Sequence, residues 1–436
     1  MLRLILSDLV ANARIWLGTL LIALATGTVG AVAASDIRTA IEAGGTDALA
    51  LYAISGVMIA FTTITALIVA GSVAGLTVAL QQRAYALWQL VGVRPAYVRI
   101  VVTTQLLVVS LIGSVLGCLA ALPLLGPLYR FSLAGSPELA DLRPVLGAGG
   151  AVPVVVFVTL VVTLAGSRSA GRAARTPPIR SLHETDRPDQ PMTAGRWVGG
   201  LIAVLAVAGI VASLPGTAPD QLSVPLMLIA PLTAGVLAAF APLYLARLLR
   251  GWTALVPDQI SSAWYLARSS TAYGVARSTA TISPITVAVA LAGGLYAANG
   301  TASDGGTVTA GSVVLLLGGP LLLALLGATA TIFMAGRRRD REFALVVAAG
   351  ATRAVVLAAA AWEAVIYTVT ATILGAVAVG VAALAGGWAA DTGTPSFGLA
   401  AIGAVAGIGL LLTLVATVLP TAVALRRDLP QTLAAE

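Results

Sequence analysis

The sequence predicts an all-α polytopic membrane protein of about ten transmembrane helices in a 4+2+4 arrangement, with both termini cytoplasmic. Three observations predict it. Hydrophobic residues make up 58% of the 436 and charged residues only 10%, with a mean hydropathy of +0.98, too little charge to cover a water-soluble surface. The apolar residues gather in runs of about 20 or more, the length that crosses a hydrocarbon core. Finally, 22 of the 25 basic residues fall on alternate connections between those runs, the asymmetry that marks cytoplasmic loops.

In chain order, residues 1–14 carry Arg3, Asp8 and Arg14 among aliphatics and read as an interfacial helix. The first span is expected from about Trp16 to Ala34, followed by a short polar stretch with Asp36, Arg38, Glu42 and Asp47, and the second span occupies about 50–79. Further spans are expected near 101–124, 148–166, 197–214, 224–246, 279–298, 310–335, 355–384 and 397–420. Pro153, Pro284 and Pro320 fall inside them, which membrane helices tolerate. Only Arg38, Arg130 and Arg143 lie on the outer side in this topology. The connections there are short, the longest about 125–147, so no substantial extracellular domain is expected.

Composition also removes functions. All basic residues are Arg and the chain has no Lys, which excludes a phosphate-loop ATPase site and lysine nucleophiles. Cys118 and His183 are single, so no internal disulfide forms, a metal site lacks its usual ligands, and a hydrolase triad has no support. The net charge of +7 arises from Arg beside membrane segments and fits topology and anionic lipid better than nucleic acid.

An internal repeat organises the chain. Residues 83–117 align without a gap to 341–375 at an offset of 258, with eight of 35 positions identical. Arg83 matches Arg341, Leu87 matches Leu345, Gly92 matches Gly350, Gln105 faces Glu363 and Gly117 faces Gly375. Both segments begin in a basic inside connection between two spans, so duplication of a four-helix unit is the economical account, with the units parallel and the spans at 197–246 left as a connector. In each copy a polar start leads through a short apolar patch to the glycine and then to a long span. This pattern suits a helix, a glycine-permitted bend and a second helix, a rigid handle beneath the membrane. The bland alternative is an Arg-rich topological anchor with an ordinary glycine cap; recurrence in both halves favours the handle.

These residues resemble the FtsX-like permease family of ABC transporters, of the macrolide-exporter, lipoprotein-release and bacitracin-resistance type. Arg339 to Val356 is similar to the family signature, a basic and acidic start leading to Ala-Leu and then Gly-Ala-Thr-Arg, with Glu363 at the acidic position of the following helix. The first copy keeps Arg83, Ala86, Leu87, Gly92 and Gly117 but has Ala84 and Gln105 where acids are favoured. The unit ends, Ala173, Arg175, Pro177, Pro178 and Leu182 in one and Pro420, Arg426, Arg427, Pro430 and Leu433 in the other, are also similar. The resemblance covers about 50–184 and 260–433 and implies a first permease unit at 1–184, a linker with two connecting helices at 185–250 and a second unit at 251–436.

It further implies a non-enzymatic permease subunit in a bacterial cytoplasmic membrane, coupled to separate cytoplasmic ABC ATPases, two per permease chain. ATP and Mg are expected in that partner and no cofactor in this chain. Arg83, Leu87, Gly92, Arg341, Glu342, Leu345 and Gly350 are the expected coupling residues. Export or extraction of a hydrophobic or amphipathic substrate would follow; an ion-gradient secondary transporter is the alternative. The absence of the large extracellular domain departs from the ten-helix bacitracin-resistance permeases. Gln105 and Glu363 are the expected intramembrane polar pair, and Glu363 the only carboxylate clearly within a span, costly there unless it faces protein, water or a partner. Gly56, Gly71, Gly75, Gly113 and Gly117 are expected to allow close helix approach, and Trp16, Trp197 and Trp388 to lie at membrane interfaces.

Overall fold

The computed structural model describes residues 7–9, 12–43, 45–132, 144–175, 192–215, 222–257, 259, 261–302, 310–389 and 397–425. Ten helices in these segments are long and apolar enough to cross a membrane, and no strand occurs among the described residues. We label them in chain order as α1 (Ala13–Ala43), α2 (Gly45–Leu80), the short α3 (Gln82–Leu90), α4 (Pro95–Ser132), α5 (Ala148–Arg175), α6 (Ala194–Ser213) and α7 (Ser223–Thr253). The short α8 (Ser262–Tyr273), α9 (Val275–Ala302), α10 (Gly319–Ala348), α11 (Arg353–Ala389) and α12 (Leu399–Ala424) complete the chain. The spans expected from hydropathy all reappear, and several are longer. A π-helical turn, Val314–Gly318, leads into α10 just before Pro320, whose missing N–H disturbs the regular ladder.

What a helix buries follows its environment in the membrane. Among the spans α9 has the lowest mean hydropathy, 1.6, and is 94% buried, whereas α6 at 1.9 is 6% buried and α12 at 2.4 is 17% buried. The outermost helices show aliphatic side chains to lipid at no cost, and the innermost replace them with small residues that let neighbours approach. The largest core joins α7, α9, α11 and α12 with Val57 and Phe61 of α2. α7 therefore builds this core as much as its neighbours do; Trp252 of α7 donates to Thr370 Oγ1 of α11 at 3.0 Å. α6 lies at its edge, packed on α7 with Trp197 edge-on to Phe240 at 5.5 Å and with Val207, Ile210 and Val211 against the core. A second core joins α1, α2, α4 and α5 with Leu323 and Met334 of α10.

The two cores meet where α2 packs along α10, with α1 against α10 and α9 against α2. A Cβ at Gly327 would collide with Val69, and one at Gly319 would come within 2.5 Å of Val29 Cγ1. Val69 and Gly327 are separated by the repeat offset of 258. Contact between two repeat-equivalent positions is what a pseudo-two-fold axis between α2 and α10 produces. The same offset relates two close crossings. Gly117 of α4 abuts Leu24 and Thr28 of α1, while Gly375 of α11 abuts Thr286 and Val289 of α9.

Four expectations need correction. α1 does not end near Ala34 but continues to Ala43, and it carries Asp36 inside the bundle at 1% exposure. Glu363 is thus not the sole carboxylate within a span. Asp36 is accommodated because α4 also outruns its expected end and brings the Tyr129 hydroxyl to donate to Asp36 Oδ1. Trp16, expected to face a membrane interface, is instead 2% exposed, covered by Tyr85 and the start of α4, whereas Trp197 and Trp388 are exposed. Gly56 and Gly71 have no neighbour within 4 Å of a hypothetical Cβ, and one at Gly75 would meet only Ser169 Oγ at 3.4 Å, so these three mediate no close approach; Gly113 and Gly117 do.

Candidate functional site: two handles beneath the bundle

Each half carries the expected turn, and its hydrogen bonds explain the glycine. In the first, Gly92 N–H donates to Gln89 O at 3.0 Å and Val93 N–H to Trp88 O at 3.0 Å. In the second, Gly350 N–H donates to Val347 O at 2.9 Å and Ala351 N–H to Val346 O at 3.1 Å. This pair of bonds is the Schellman closure of a helix C-terminus, and it requires a left-handed residue between the donors. Gly92 has φ 99° and Gly350 φ 100°, a conformation that side chains with a Cβ rarely adopt. The next helix begins at once. Pro95 opens α4, its fixed φ suiting a first helical position, and Thr352 caps α11 with its hydroxyl 3.4 Å from Val355 N–H.

The elements entering the two turns differ. α10 runs unbroken from Gly319 to Ala348, so the second handle is the end of the spanning helix itself. In the first half α2 stops at Leu80, Gln81 turns, and α3 forms a separate segment. α3 is held by its buried face, where Ala86 is 3% exposed and Tyr85 (1% exposed) enters a cluster with Trp16, Ala74, Val78, Val98, Val102 and Leu106. Its other face is open and apolar: Leu87 and Leu90 are half exposed and Val91 is 88% exposed. An apolar knuckle of this kind beside a membrane surface is suited to docking in a groove of another protein.

Of the expected coupling residues, the structure brings Leu87 and Gly92 together on the outer surface of the first handle, and Gly350 lies exposed at the tip of the second. The side chains of Arg83, Arg341, Glu342 and Leu345 lie outside the described residues, though their backbones fall within α3 and α10. The unit ends at 176–191 and 426–436 are likewise outside them. Gln105 and Glu363 are both buried, at 0% and 4% exposure, at matched depth on α4 and α11.

Around these two residues the halves use different chemistry. Beneath the first handle Gln105 Nε2 donates to Asp8 Oδ2 at 2.7 Å, and Asn12 Nδ2 donates to Asp8 Oδ1 at 3.0 Å. The Tyr85 hydroxyl donates to Gln81 Oε1 and lies 3.5 Å from Gln105 Oε1. Burial, reinforced by the Asp8 charge, pushes the Tyr85 phenol well above its ordinary pKa, so it remains a donor. Beneath the second handle the corresponding space is aromatic. Trp264 of α8 stands edge-on to Trp362 at 5.2 Å and to Trp252 at 6.4 Å. Asp8, Asn12, Gln81 and the tryptophan trio were not singled out from sequence as functional. Their only signal was position, just before the first helix of a unit or just after its second.

Among the described residues no group of His, Cys, Asp and Glu could hold a metal ion. Ten helices long and apolar enough to cross a membrane, with two turn-closed handles, define a multi-pass membrane protein. Residues 314–429 match the FtsX-like permease C-terminal family, and this match supports the FtsX-like permease family that the handle motifs resemble. The matched region runs from the π turn through α10, the second handle, α11 and α12. Permeases of this family are transmembrane subunits of ABC transporters, generally without an ATPase site of their own. A search of curated proteins finds no match to the chain.

Proposed function

We propose that this chain is the permease subunit of an ABC transporter, receiving work from cytoplasmic ATPases at its two handles. It would move a hydrophobic or amphipathic molecule such as a lipid, lipopeptide or drug. The observation that carries the reading is the recurrence of one Schellman-closed handle, centred on Gly92 and Gly350, at equivalent places in two halves that meet at Val69 and Gly327. A partner pushing on both handles acts symmetrically about that contact.

The geometry supports a route for the force. Displacement of the second handle travels along α10, which has no break between the handle and the contact with α1 and α2. Displacement of the first passes through Tyr85 into the α4 base, and from α4 to α1 at the Gly117 crossing. The lipid-facing character of α6 and α12 suits a substrate entering or leaving sideways, from hydrocarbon.

Affinity purification of the tagged full chain from its native membrane tests this. An ATP-hydrolysing subunit co-elutes, two copies per permease, and Leu87→Asp with Val91→Asp abolishes its retention while membrane insertion persists. A chain that purifies alone and moves solute down an ion gradient is instead a secondary transporter, and the proposal is then wrong.

A further inference from the structure

We propose that Asp8, acting through Gln105, is a positioning residue for the first handle and supplies from the N-terminal segment the carboxylate that Glu363 supplies within α11. The inference rests on the reading of α3 as an element on which a partner acts, and it goes further by saying what holds α3 in place. At the repeat offset, Gln105 stands where the second half has Glu363, and both are buried. A neutral amide thus replaces an acid at one of two equivalent sites. The structure nevertheless places a carboxylate there, because Asp8 Oδ2 lies 2.7 Å from Gln105 Nε2. Leu266 occupies the position equivalent to Asp8, so each half carries one acid of this pair and neither carries both.

The surroundings favour a negative group. Asp8 accepts from Asn12 and Gln105, and the Tyr85 hydroxyl points toward Gln105 Oε1. Two further buried donors, Trp16 Nε1 and Gln81 Nε2, have no acceptor among the described residues. Asp8 meets Asn12 and Gln105 with one oxygen each, whereas an amide at that position offers a single acceptor oxygen. The mechanical consequence follows from which elements are joined. Asp8 belongs to the segment entering α1, Gln105 to α4, and Gln81 and Tyr85 to the junction and body of α3. The chain Asp8–Gln105–Tyr85–Gln81 ties α3 to α1 and α4 across the break at Gln81, making good the continuity that α10 has covalently.

The swap of charge between the two positions is the test. The full chain in phosphatidylethanolamine and phosphatidylglycerol vesicles is compared as wild type, Asp8→Asn, Asp8→Glu and Asp8→Asn with Gln105→Glu. Amide hydrogen exchange is followed over 82–90 and over 344–348. Asp8→Asn is expected to speed exchange in 82–90 about tenfold, as loss of a charge-assisted hydrogen bond implies, while 344–348 is unchanged. The double variant restores the slow rate, since the acid now sits at position 105 and the amide introduced at position 8 donates to it, and Asp8→Glu retains much of it. Unchanged exchange in Asp8→Asn, or failure of the double variant to restore it, overturns the proposal. General destabilisation shows as faster exchange at 344–348 as well in every variant at position 8, and it also overturns it.

ATP turnover with the co-purifying ATPase is measured on the same set. A fall in Asp8→Asn with recovery in the double variant is expected. If exchange behaves as stated but turnover does not change, Asp8 positions α3 and the coupling reading is what fails.

Discussion

The two handles close with the same hydrogen bonds around the same left-handed glycine, yet they are mounted in different ways. The second is the continuation of α10, stiff because its backbone ladder is uninterrupted. The first is a nine-residue helix separated from α2 by a turn at Gln81 and kept in register by side chains: Tyr85 in an apolar cluster, and a polar chain ending on Asp8. The lesson is that two repeat-equivalent segments can preserve one turn while exchanging the means of holding it. Backbone continuity makes the second handle a lever; side-chain packing makes the first a hinged plate.

The comparison breaks most severely where a lever loses continuity. Ala335→Pro, inside α10, removes a ladder bond and clashes with the preceding turn at a cost of ~3 kcal/mol or more. Permease-stimulated ATP turnover should collapse although the chain still inserts, as measured in reconstituted vesicles. No comparable sensitivity is expected at Gln81, where the helix is already interrupted.

The equivalent crossings at Gly117 and Gly375 sharpen it next. A Cβ at Gly117 meets backbone, the Leu24 carbonyl and Thr28 N at 2.8 Å, whereas at Gly375 it meets chiefly the Val289 side chain at 2.5 Å. Side chains can rotate and helix backbones cannot. Gly117→Ala should therefore destabilise by ~2–3 kcal/mol and Gly375→Ala by ~1 kcal/mol, within the usual range for overpacking, read by thermal unfolding in detergent. Equal losses would mean that the two crossings are equally tight.

Gly92→Ala and Gly350→Ala should cost about the same, roughly 1–2 kcal/mol each, because both sites demand the left-handed conformation and neither has a steric neighbour within 4 Å. Here equality is the expectation, and a large difference would show that the turns are not equivalent. The smallest effect is expected at the aromatic support of the second half. Trp362→Leu, at a ring 40% exposed, loses the edge-on pair with Trp264, worth ~0.5–1.5 kcal/mol, and should leave hydrogen exchange over 82–90 untouched.

Much of this arrangement was readable from the chain. Runs of apolar residues located every span, and a single alignment at 258 located both turns and the Gly117–Gly375 pair. What escaped has physical causes. Hydropathy cannot show that α10 continues through the strongly charged residues 337–342 while α2 breaks at the uncharged Gln81; the break accompanies the burial of Tyr85 against Trp16 and the start of α4. Asp36 looked like loop because an acid ends an apolar run, and only the distant Tyr129 makes its burial tolerable. The place of α7 in the largest core depends on long-range packing that no local pattern encodes.

The most direct test of the account uses single cysteines at Val91 and Ala349 in a Cys118→Ala background, labelled with a membrane-impermeant maleimide in sealed vesicles. Both positions should react from the same face, and both should be protected when the co-purifying ATPase is bound. Reaction from opposite faces, or undiminished labelling of both with the ATPase in place, would contradict the claim that the two handles jointly receive its work.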